Sequence, residues 1–313
     1  MPNWVFNTID NYDEELYKKY KSEYRDIDFN KIIPEPEEIT NTPSGSWNNI
    51  AKNVYKYRKF IEEGNSPKDY NNPLRKQMVE YTDMVCKSIG EKCIENPDKS
   101  INELKKEDKL IEKQVDRYVD ILGNNSFQNS DKEKIYDKLV EKEEEEFQES
   151  KQRQINRTDD FKIGIETYSS LYDLGGKLIQ LKEKYGVDNW YDWRNINWGT
   201  KWNAGDCSYD EEMKSMKFDT AWSVPEPILA KIAQDNPDKS IEVYSEEETG
   251  WFNEYELKNG TMAMTQSGQI YYDEETDESS TKYDEDVDKT PYTYDQIKDQ
   301  HAKNYSWLFN REE

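Results

Sequence analysis

The sequence feature that most constrains the fold is a tryptophan-rich stretch, residues 185–204, which is followed by a related stretch at residues 218–228. The two stretches hold five of the nine tryptophans in a chain that is only 34% hydrophobic. Because indole rings bury a large apolar area per residue, we expect the core to lie here. The predicted core tryptophans are Trp190, Trp193, Trp198, Trp202 and Trp222, joined by Trp4 near the start of the chain.

The rest of the composition indicates a folded but polar protein. A length of 313 residues permits about two domains, and a mean hydropathy of -1.19 predicts a thin core. The 23 tyrosines and nine phenylalanines supply large buried areas from few positions, which argues against a disordered chain. We find no apolar run near the roughly 18 residues that a membrane span needs, and no secretory signal pattern at the N-terminus.

Four motifs rich in Trp, Pro and Gly lie in two distant parts of the chain. The first two are Trp-Gly-Thr-Lys-Trp-Asn at residues 198–203 and Phe-Asp-Thr-Ala-Trp-Ser-Val-Pro at 218–225. The others are the opening Met-Pro-Asn-Trp-Val-Phe-Asn and the segment Phe-Asn-Lys-Ile-Ile-Pro-Glu-Pro-Glu-Glu at 29–38. Together they resemble the ferredoxin-like domain of the Api92/YubB family, which phages and plasmids carry, and the resemblance covers roughly residues 1–40 and 185–260. Val5 stands where the family usually has a cysteine, which argues against a metal or redox role there.

The resemblance implies an α+β fold, a ferredoxin-like α/β sandwich built from N- and C-terminal segments. We predict that this sandwich comprises residues 1–45 and 186–272, interrupted by a large α-helical insertion at 46–185. An acidic loop at 273–290 and a C-terminal helix at 291–313 complete the predicted organisation. Because like charges repel, we expect residues 273–288 to form either a mobile loop or a strongly solvated strand pair.

Periodicity and turn residues predict the individual elements. The predicted strands are Asn3–Ile9, Asp28–Ile33, Lys214–Thr220, Ser240–Ser245, Gly250–Leu257, Thr261–Thr265 and Gln269–Tyr272. Helices are predicted from about residue 10 to Tyr24, over Pro225–Asp235 and over Tyr294–Phe309. Apolar residues recur at helical spacing from Trp47 to about Tyr185, ending in a helix from Phe161 to Lys184.

The sequence argues against catalysis and predicts no cofactor and no metal. His301 is the only histidine, which excludes His-based triads and HExxH zinc sites within the chain, and we expect it on an exposed helix surface. Cys86, Cys93 and Cys207 lack CxxC spacing and indicate reduced thiols. No phosphate-binding loop, nucleophile elbow or dinucleotide fingerprint is present.

Carboxylate groupings are the remaining enzyme-like feature. A metal site could be imagined at Asp206, Asp210, Glu211 and Glu212, and Asp188 with Asp192 form a pair at helical spacing. An acidic chain produces such groupings by chance, so we predict that the protein is not an enzyme.

Charge is concentrated toward the end of the chain. Residues 186–313 carry 12 basic and 29 acidic side chains, whereas residues 46–185 carry 26 and 28. Such a field attracts basic protein surfaces and repels nucleic-acid phosphates and anionic membranes. We therefore predict a protein partner with a basic surface and no membrane contact. The predicted partner-binding residues are Asp273, Glu274, Glu275, Asp284, Glu285, Asp286 and Asp288.

These observations lead to one functional hypothesis and two alternatives. The hypothesis is an accessory protein of a phage or mobile element that acts in the cytoplasm of a bacterial host. It would inhibit a host immune effector by occupying a basic, nucleic-acid-handling surface. The first alternative is single-stranded nucleic-acid binding on an aromatic sheet face, which the acidic charge opposes. The second is a phage protein with an unrelated structural role. The sequence leaves a homo-oligomer open.

Overall fold

A computed structural model of the chain describes residues 3–65, 141, 144–153, 168–273 and 278–309. The chain divides into two compact units. The first comprises residues 1–40 and 185–313, and the second comprises residues 41–184.

The first unit contains seven strands among its described residues. They are β1 (Trp4–Asp10), β2 (Gly205–Asp210), β3 (Ser215–Ala221), β4 (Ser240–Glu247), β5 (Trp251–Lys258), β6 (Thr261–Asp273) and β7 (Glu278–Tyr283).

The named helices of the two units are numbered together in chain order. They are α1 (Glu14–Tyr20), α2 (Phe29–Ile32), α3 (Glu37–Thr40), α4 (Ser46–Glu62), α5 (Leu171–Tyr185), α6 (Trp190–Asn197), α7 (Glu226–Asp235) and α8 (Tyr294–Phe309). Within the described ranges, none of them combines the length and the apolar composition that crossing a membrane would require.

The sheet has the order β2-β3-β1-β4-β5-β6-β7, and every neighbouring pair is antiparallel. In its first four strands, β1 lies between β3 and β4, while helices precede β2 and α7 connects β3 to β4. This is the split β-α-β-β-α-β arrangement of ferredoxin-like domains. The α+β, ferredoxin-like prediction is therefore confirmed, and β5, β6 and β7 extend the sheet beyond β4.

The core of the first unit is built around Trp198. This residue is fully buried, and its indole Nε1 donates a hydrogen bond to Ile33 O at 2.9 Å. Phe29 packs edge-on against both Trp198 and Phe218, with ring centroids 5.9 Å apart in each pair. The N-terminal segment and the tryptophan-rich stretch therefore share one core, although more than 160 residues separate Ile33 from Trp198.

The prediction of a strand at Asp28–Ile33 is wrong, because this segment forms the short helix α2. Asp28 caps that helix by accepting a hydrogen bond from Asn30 N at 3.0 Å, and Phe29 and Ile32 are buried. The apolar residues of this segment, Phe29, Ile32 and Ile33, are three and four positions apart, which fits one helical turn with inward-facing side chains.

The end of the sheet also differs from the prediction. The segments 261–265 and 269–272 belong to one strand, β6, whose register with β5 shifts between Glu254 and Tyr255. Residues 278–283 of the predicted acidic segment form β7 and pair along β6, which matches the expected strand pair and not the expected loop. Strand β2 was not predicted at all, since its alternation of exposed and half-buried residues gives no apolar periodicity.

The second unit is helical in its described parts, which include α4, residues 144–153 and nearly all of α5. Its core contains Ala51, Val54, Phe147, Leu171, Leu174 and Leu178. Gly175 permits the close approach of α4 and α5, because a Cβ there would lie 2.0 Å from Ala51 O. The predicted helices between residues 66 and 140 lie outside the described residues, as do Cys86 and Cys93.

Candidate protein-binding face of the sheet

Strand alternation divides the sheet into a face covered by helices and an exposed face. On β1, Ile9 is fully buried, whereas Phe6 is 48% exposed. Ile9 lies opposite Val243, and Val243 lies opposite Tyr255. The Tyr255 hydroxyl donates to Oε1 of Glu226 at 2.9 Å, so α7 covers the side of the sheet that carries Ile9. Phe6 therefore marks the other side, which we call the exposed sheet face.

The register assigns further side chains to the exposed sheet face. They are Thr8 and Asp10 of β1, Lys217 and Asp219 of β3, Glu242, Tyr244 and Glu246 of β4, and Phe252, Glu254, Glu256 and Lys258 of β5. On these four strands the face thus carries six carboxylates and two lysines. The face as a whole is therefore acidic, and β4 and β5 contribute four of the six carboxylates.

Aromatic rings lie among these carboxylates. Tyr244 stacks on Phe252 with ring centroids 5.9 Å apart, and Phe252 meets Tyr283 edge-on at 6.0 Å. Gly268 lies opposite both Phe252 and Tyr283, and a Cβ there would meet Cε1 of Phe252 at 2.9 Å. The missing side chain lets the Phe252 ring lie on the backbone of β6, while Tyr283 remains 55% exposed.

Tyr244 is held in its neutral form on this face. Burial raises the pKa of Tyr244, and its hydroxyl adds to this by donating to Oε2 of Glu246 at 2.8 Å. This ring is therefore a neutral, hydrogen-bonded aromatic platform on the exposed sheet face.

A second group of aromatic rings lies at the ends of β1 and β3. Trp4 and Trp202 have ring centroids 5.9 Å apart, and Lys201 Nζ lies 4.0 Å from the Trp202 ring centroid and 5.4 Å from that of Trp222. We call Trp4, Trp202 and Trp222 the tryptophan cluster. Because an ammonium is attracted to the face of an indole, these distances indicate cation–π contacts.

The predicted core tryptophans fall into three groups. Trp193 and Trp198 are buried, at 6% and 0% exposed. Trp4, Trp190 and Trp202 are half-buried. The prediction that Trp222 belongs to the core is wrong, since its side chain is 55% exposed. Residue type and sequence neighbourhood do not distinguish Trp198 from Trp222, because their burial depends on which segments pack over them.

The predicted partner-binding carboxylates do not form one cluster. Asp273 ends β6 and Asp284 follows β7 opposite Ser267, so strand geometry places them about 20 Å apart. Asp284 is tied to β6, since its Oδ2 accepts from Ser267 Oγ at 2.6 Å. Glu285 and Asp286 are exposed. Glu274 and Glu275 lie outside the described residues.

Asp288 is also exposed, but it serves a turn. Hydrogen bonds from Thr290 and Tyr292 lower the pKa of its carboxyl group, and Tyr292 Oη lies 2.7 Å from Asp288 Oδ2. A carboxylate with these two partners organises the segment that leads into α8. It is therefore less free to bind a partner than Glu285 or Asp286.

The enzyme-like carboxylate groupings have structural roles. Asn189 caps α6 and donates to Oδ1 of Asp188 at 2.8 Å and to Oδ2 of Asp192 at 2.6 Å. Asp210 accepts from Met213 N at 2.9 Å in the turn after β2. Within the described part of the chain, no three His, Cys, Asp or Glu side chains converge as metal ligands would. These contacts assign Asp188, Asp192 and Asp210 to a helix cap and a turn.

His301 does not lie on an exposed helix surface as predicted. Its side chain is 22% exposed, and Nε2 lies 3.0 Å from Oε2 of Glu226. Glu226 also accepts from Tyr255, so one carboxylate connects α8, α7 and β5. The single histidine thus belongs to the contact that docks the last helix.

Together, the sheet order and the composition of its exposed face define a ferredoxin-like α+β protein with an aromatic, acidic surface. Residues 197–295 match the family described as the ferredoxin-like domain in Api92-like protein, which confirms the resemblance seen in the sequence motifs. The matched range includes β2 to β7 but not β1, although β1 lies in the middle of the ferredoxin-like strands. Comparisons with curated proteins and with solved structures give no match.

Proposed function

We propose that this chain is a non-enzymatic accessory protein that binds another protein with a basic surface. The observation that carries the proposal is the exposed sheet face, where six carboxylates and two lysines surround exposed and stacked aromatic rings. Aromatic side chains supply most of the energy in many protein interfaces, and complementary charge speeds the encounter.

The local charge favours a protein over a nucleic acid as the partner. A single-stranded nucleic acid stacking on Phe6 or Tyr244 would bring its phosphates toward Asp219, Glu246 and Glu254, and each contact would be repulsive. A basic protein surface meets the same carboxylates with attraction. The aromatic sheet face of the alternative hypothesis is present, but its charge has the wrong sign for that ligand.

The biological form of the proposal is counter-defence. A phage- or plasmid-encoded protein with an acidic face is suited to occupy the basic surface with which a host immune effector handles nucleic acid. In this proposal the protein acts in the cytoplasm of a bacterial host and needs no cofactor. Two features support it: the placement of the carboxylates, and the resemblance to a domain carried by mobile elements.

The test begins with affinity capture from host extract, followed by binding kinetics with the purified partner. A variant with Glu242→Gln and Glu254→Gln removes two charges from the exposed sheet face. A control with Glu211→Gln and Glu212→Gln removes two charges from the exposed turn after β2. Both variants have the same net charge, so any difference in their association rates comes from the position of the removed carboxylates.

We expect the sheet-face variant to associate several-fold more slowly and to show a weaker dependence on salt than the control. A variant with Glu285→Gln and Asp286→Asn measures the contribution of the acidic segment after β7. Equal rates and salt slopes for all variants would contradict binding through either surface. Tight binding of a single-stranded oligonucleotide by the wild type would favour the nucleic-acid alternative instead.

A further inference from the structure

Trp222 combines high exposure with an unfavourable backbone conformation. Its side chain is 55% exposed, and its φ angle is +75°. L-residues with bulky side chains avoid this left-handed region, and glycine would adopt it without cost. Packing does not explain a tryptophan here, because more than half of its surface faces solvent. Exposed aromatic residues held in strained conformations are typical of binding sites.

Hydrogen bonds from neighbouring residues hold Trp222 in this conformation. Its amide donates to Asn3 O at 2.9 Å, which ties it to the start of β1. Thr200 Oγ1 donates to Ala221 O at 2.9 Å, and Ser223 Oγ donates to Gly199 O. The segment that carries Lys201 and Trp202 is thereby fastened to the end of β3. The tryptophan cluster is therefore preorganised by the fold.

Lys201 shows which chemical group the cluster accommodates. Its ammonium lies over the Trp202 ring and within 5.4 Å of the Trp222 ring centroid. One cation therefore already lies within cation–π range of both indole rings. The chain thus supplies an internal cation at a place where a partner's cation would also be attracted.

The carboxylate of Asp219 supplies negative charge near the tryptophan cluster, which would attract a cation bound there. Asp219 lies on the exposed sheet face opposite Phe6, and Ala221, two residues further on, lies opposite Trp4. Burial raises the pKa of Asp219, and the nearby charge of Asp206 raises it further. A carboxylate that is partly desolvated and repelled by its neighbour is stabilised when a cation approaches it.

We propose that the tryptophan cluster and Asp219 together bind one arginine side chain of the basic protein partner. The guanidinium would replace the Lys201 ammonium over the indole rings and donate to the Asp219 carboxylate. Arginine suits this role because its planar group stacks on aromatic faces and is weakly hydrated. This inference rests on the proposed function, and it identifies the anchoring contact within it.

A defined probe tests this contact without the natural partner. The probe is a short labelled peptide of alternating glycine and arginine, and its matched control replaces each arginine by citrulline, which has the same shape and no charge. We expect wild-type protein to bind the arginine peptide about tenfold more tightly than the citrulline peptide. Trp222→Ala and Asp219→Asn should each reduce that preference several-fold.

Two further variants make the assignment specific. Lys201→Gln removes the competing internal cation and should tighten binding of the arginine peptide. Tyr24→Ala removes an aromatic side chain that is 86% exposed elsewhere in the unit and should leave binding unchanged. Equal affinity for both peptides, or equal losses in Tyr24→Ala and Trp222→Ala, would overturn the inference. The inference would also be overturned if the wild type bound a single-stranded oligonucleotide and Lys201→Gln weakened that binding. That result would show that the tryptophan cluster and Lys201 bind an anion.

The outcome also separates this inference from the proposed function. If Glu242→Gln with Glu254→Gln slows binding of the captured partner while Trp222→Ala does not affect it, the protein-binding function stands and the arginine site fails. If Trp222→Ala weakens partner binding and the arginine peptide prefers the cluster, while Glu242→Gln with Glu254→Gln has no effect, the arginine site stands and the sheet-face function fails.

Discussion

Arg194 on α6 forms a bidentate ion pair with Glu35, which lies 159 residues earlier in the chain. Arg194 Nε lies 2.9 Å from Oε1 and Nη2 lies 2.6 Å from Oε2. The Glu35 side chain is only 2% exposed, and the guanidinium carbon lies 4.9 Å from the Trp198 ring centroid. The pair therefore joins the segment between α2 and α3 to the tryptophan core within the first unit.

Removing one member of this pair should destabilise the protein strongly. Arg194→Leu leaves the Glu35 carboxylate buried without its partner, so we expect the free energy of unfolding to fall by about 3 kcal/mol. Replacing both residues by leucine should recover a large part of that loss, since no buried charge is then left unpaired. Urea denaturation of the two single variants and the double variant measures this coupling. Simple additivity of the single effects would show that the pair does not interact energetically.

The Trp222→Gly variant should be more stable than the Trp222→Ala variant. Both substitutions remove the exposed indole, but only glycine relieves the strain of φ +75°. The expected difference in unfolding free energy is about 1 kcal/mol in favour of Trp222→Gly. Thermal or urea unfolding of both variants provides the measurement. If alanine proves equal or better, Trp222 does not hold the left-handed conformation in solution.

The ion pair between Asp13 and Lys239 should make stability depend on pH at the acid end. Partial burial opposes ionisation of Asp13, but hydrogen bonds from Lys239 and from Leu16 N outweigh it and lower the pKa of Asp13 below 3.8. Because the pKa of Asp13 is lower in the folded state, ionised Asp13 stabilises the fold at any pH above its unfolded pKa. This stabilisation is lost as the pH falls through the folded pKa.

We therefore expect Asp13→Asn to reduce the unfolding free energy by about 0.5 kcal/mol at pH 7, because Asp13 is partly exposed and asparagine still caps α1. The difference from wild type should disappear as the pH falls well below 3.8. Unfolding curves across the acid range test this, and a difference that stays constant down to the lowest pH would show that the effect is not electrostatic.

Gly268→Ala should weaken the pairing of β6 with β7. The new Cβ would lie 2.5 Å from Lys282 O and 2.9 Å from Phe252 Cε1, so both the backbone of β7 and the Phe252 ring must shift relative to β6. We expect a loss of about 1–3 kcal/mol and faster hydrogen exchange at β7 amides. Gly205→Ala is the control, since its nearest contact would be Asp219 O at 3.8 Å. Equal exchange in both variants would contradict the close packing at Gly268.

Much of the exposed sheet face could be predicted from alternation along single strands. In β4, Ile241 and Val243 alternate with Glu242 and Tyr244, and this pattern alone separates a buried face from an acidic one. Which strands combine their acidic faces could not be read from the sequence. That assignment depends on the register between β1, β3, β4 and β5, and the pairing of β1 with β3 joins segments about 210 residues apart.

The sequence by itself determined the ferredoxin-like resemblance, helix α7, strands β1, β4 and β5, and the acidic character of the C-terminal region. These features depend on local periodicity, turn residues and composition, which are present in any short window of the chain. Only the tertiary structure decided that Trp198 is buried and Trp222 is exposed, that residues 29–32 form a helix, and that β7 divides the acidic segment. Each of these outcomes depends on contacts between distant segments, because burial is a property of the neighbours that pack over a side chain and not of the side chain alone.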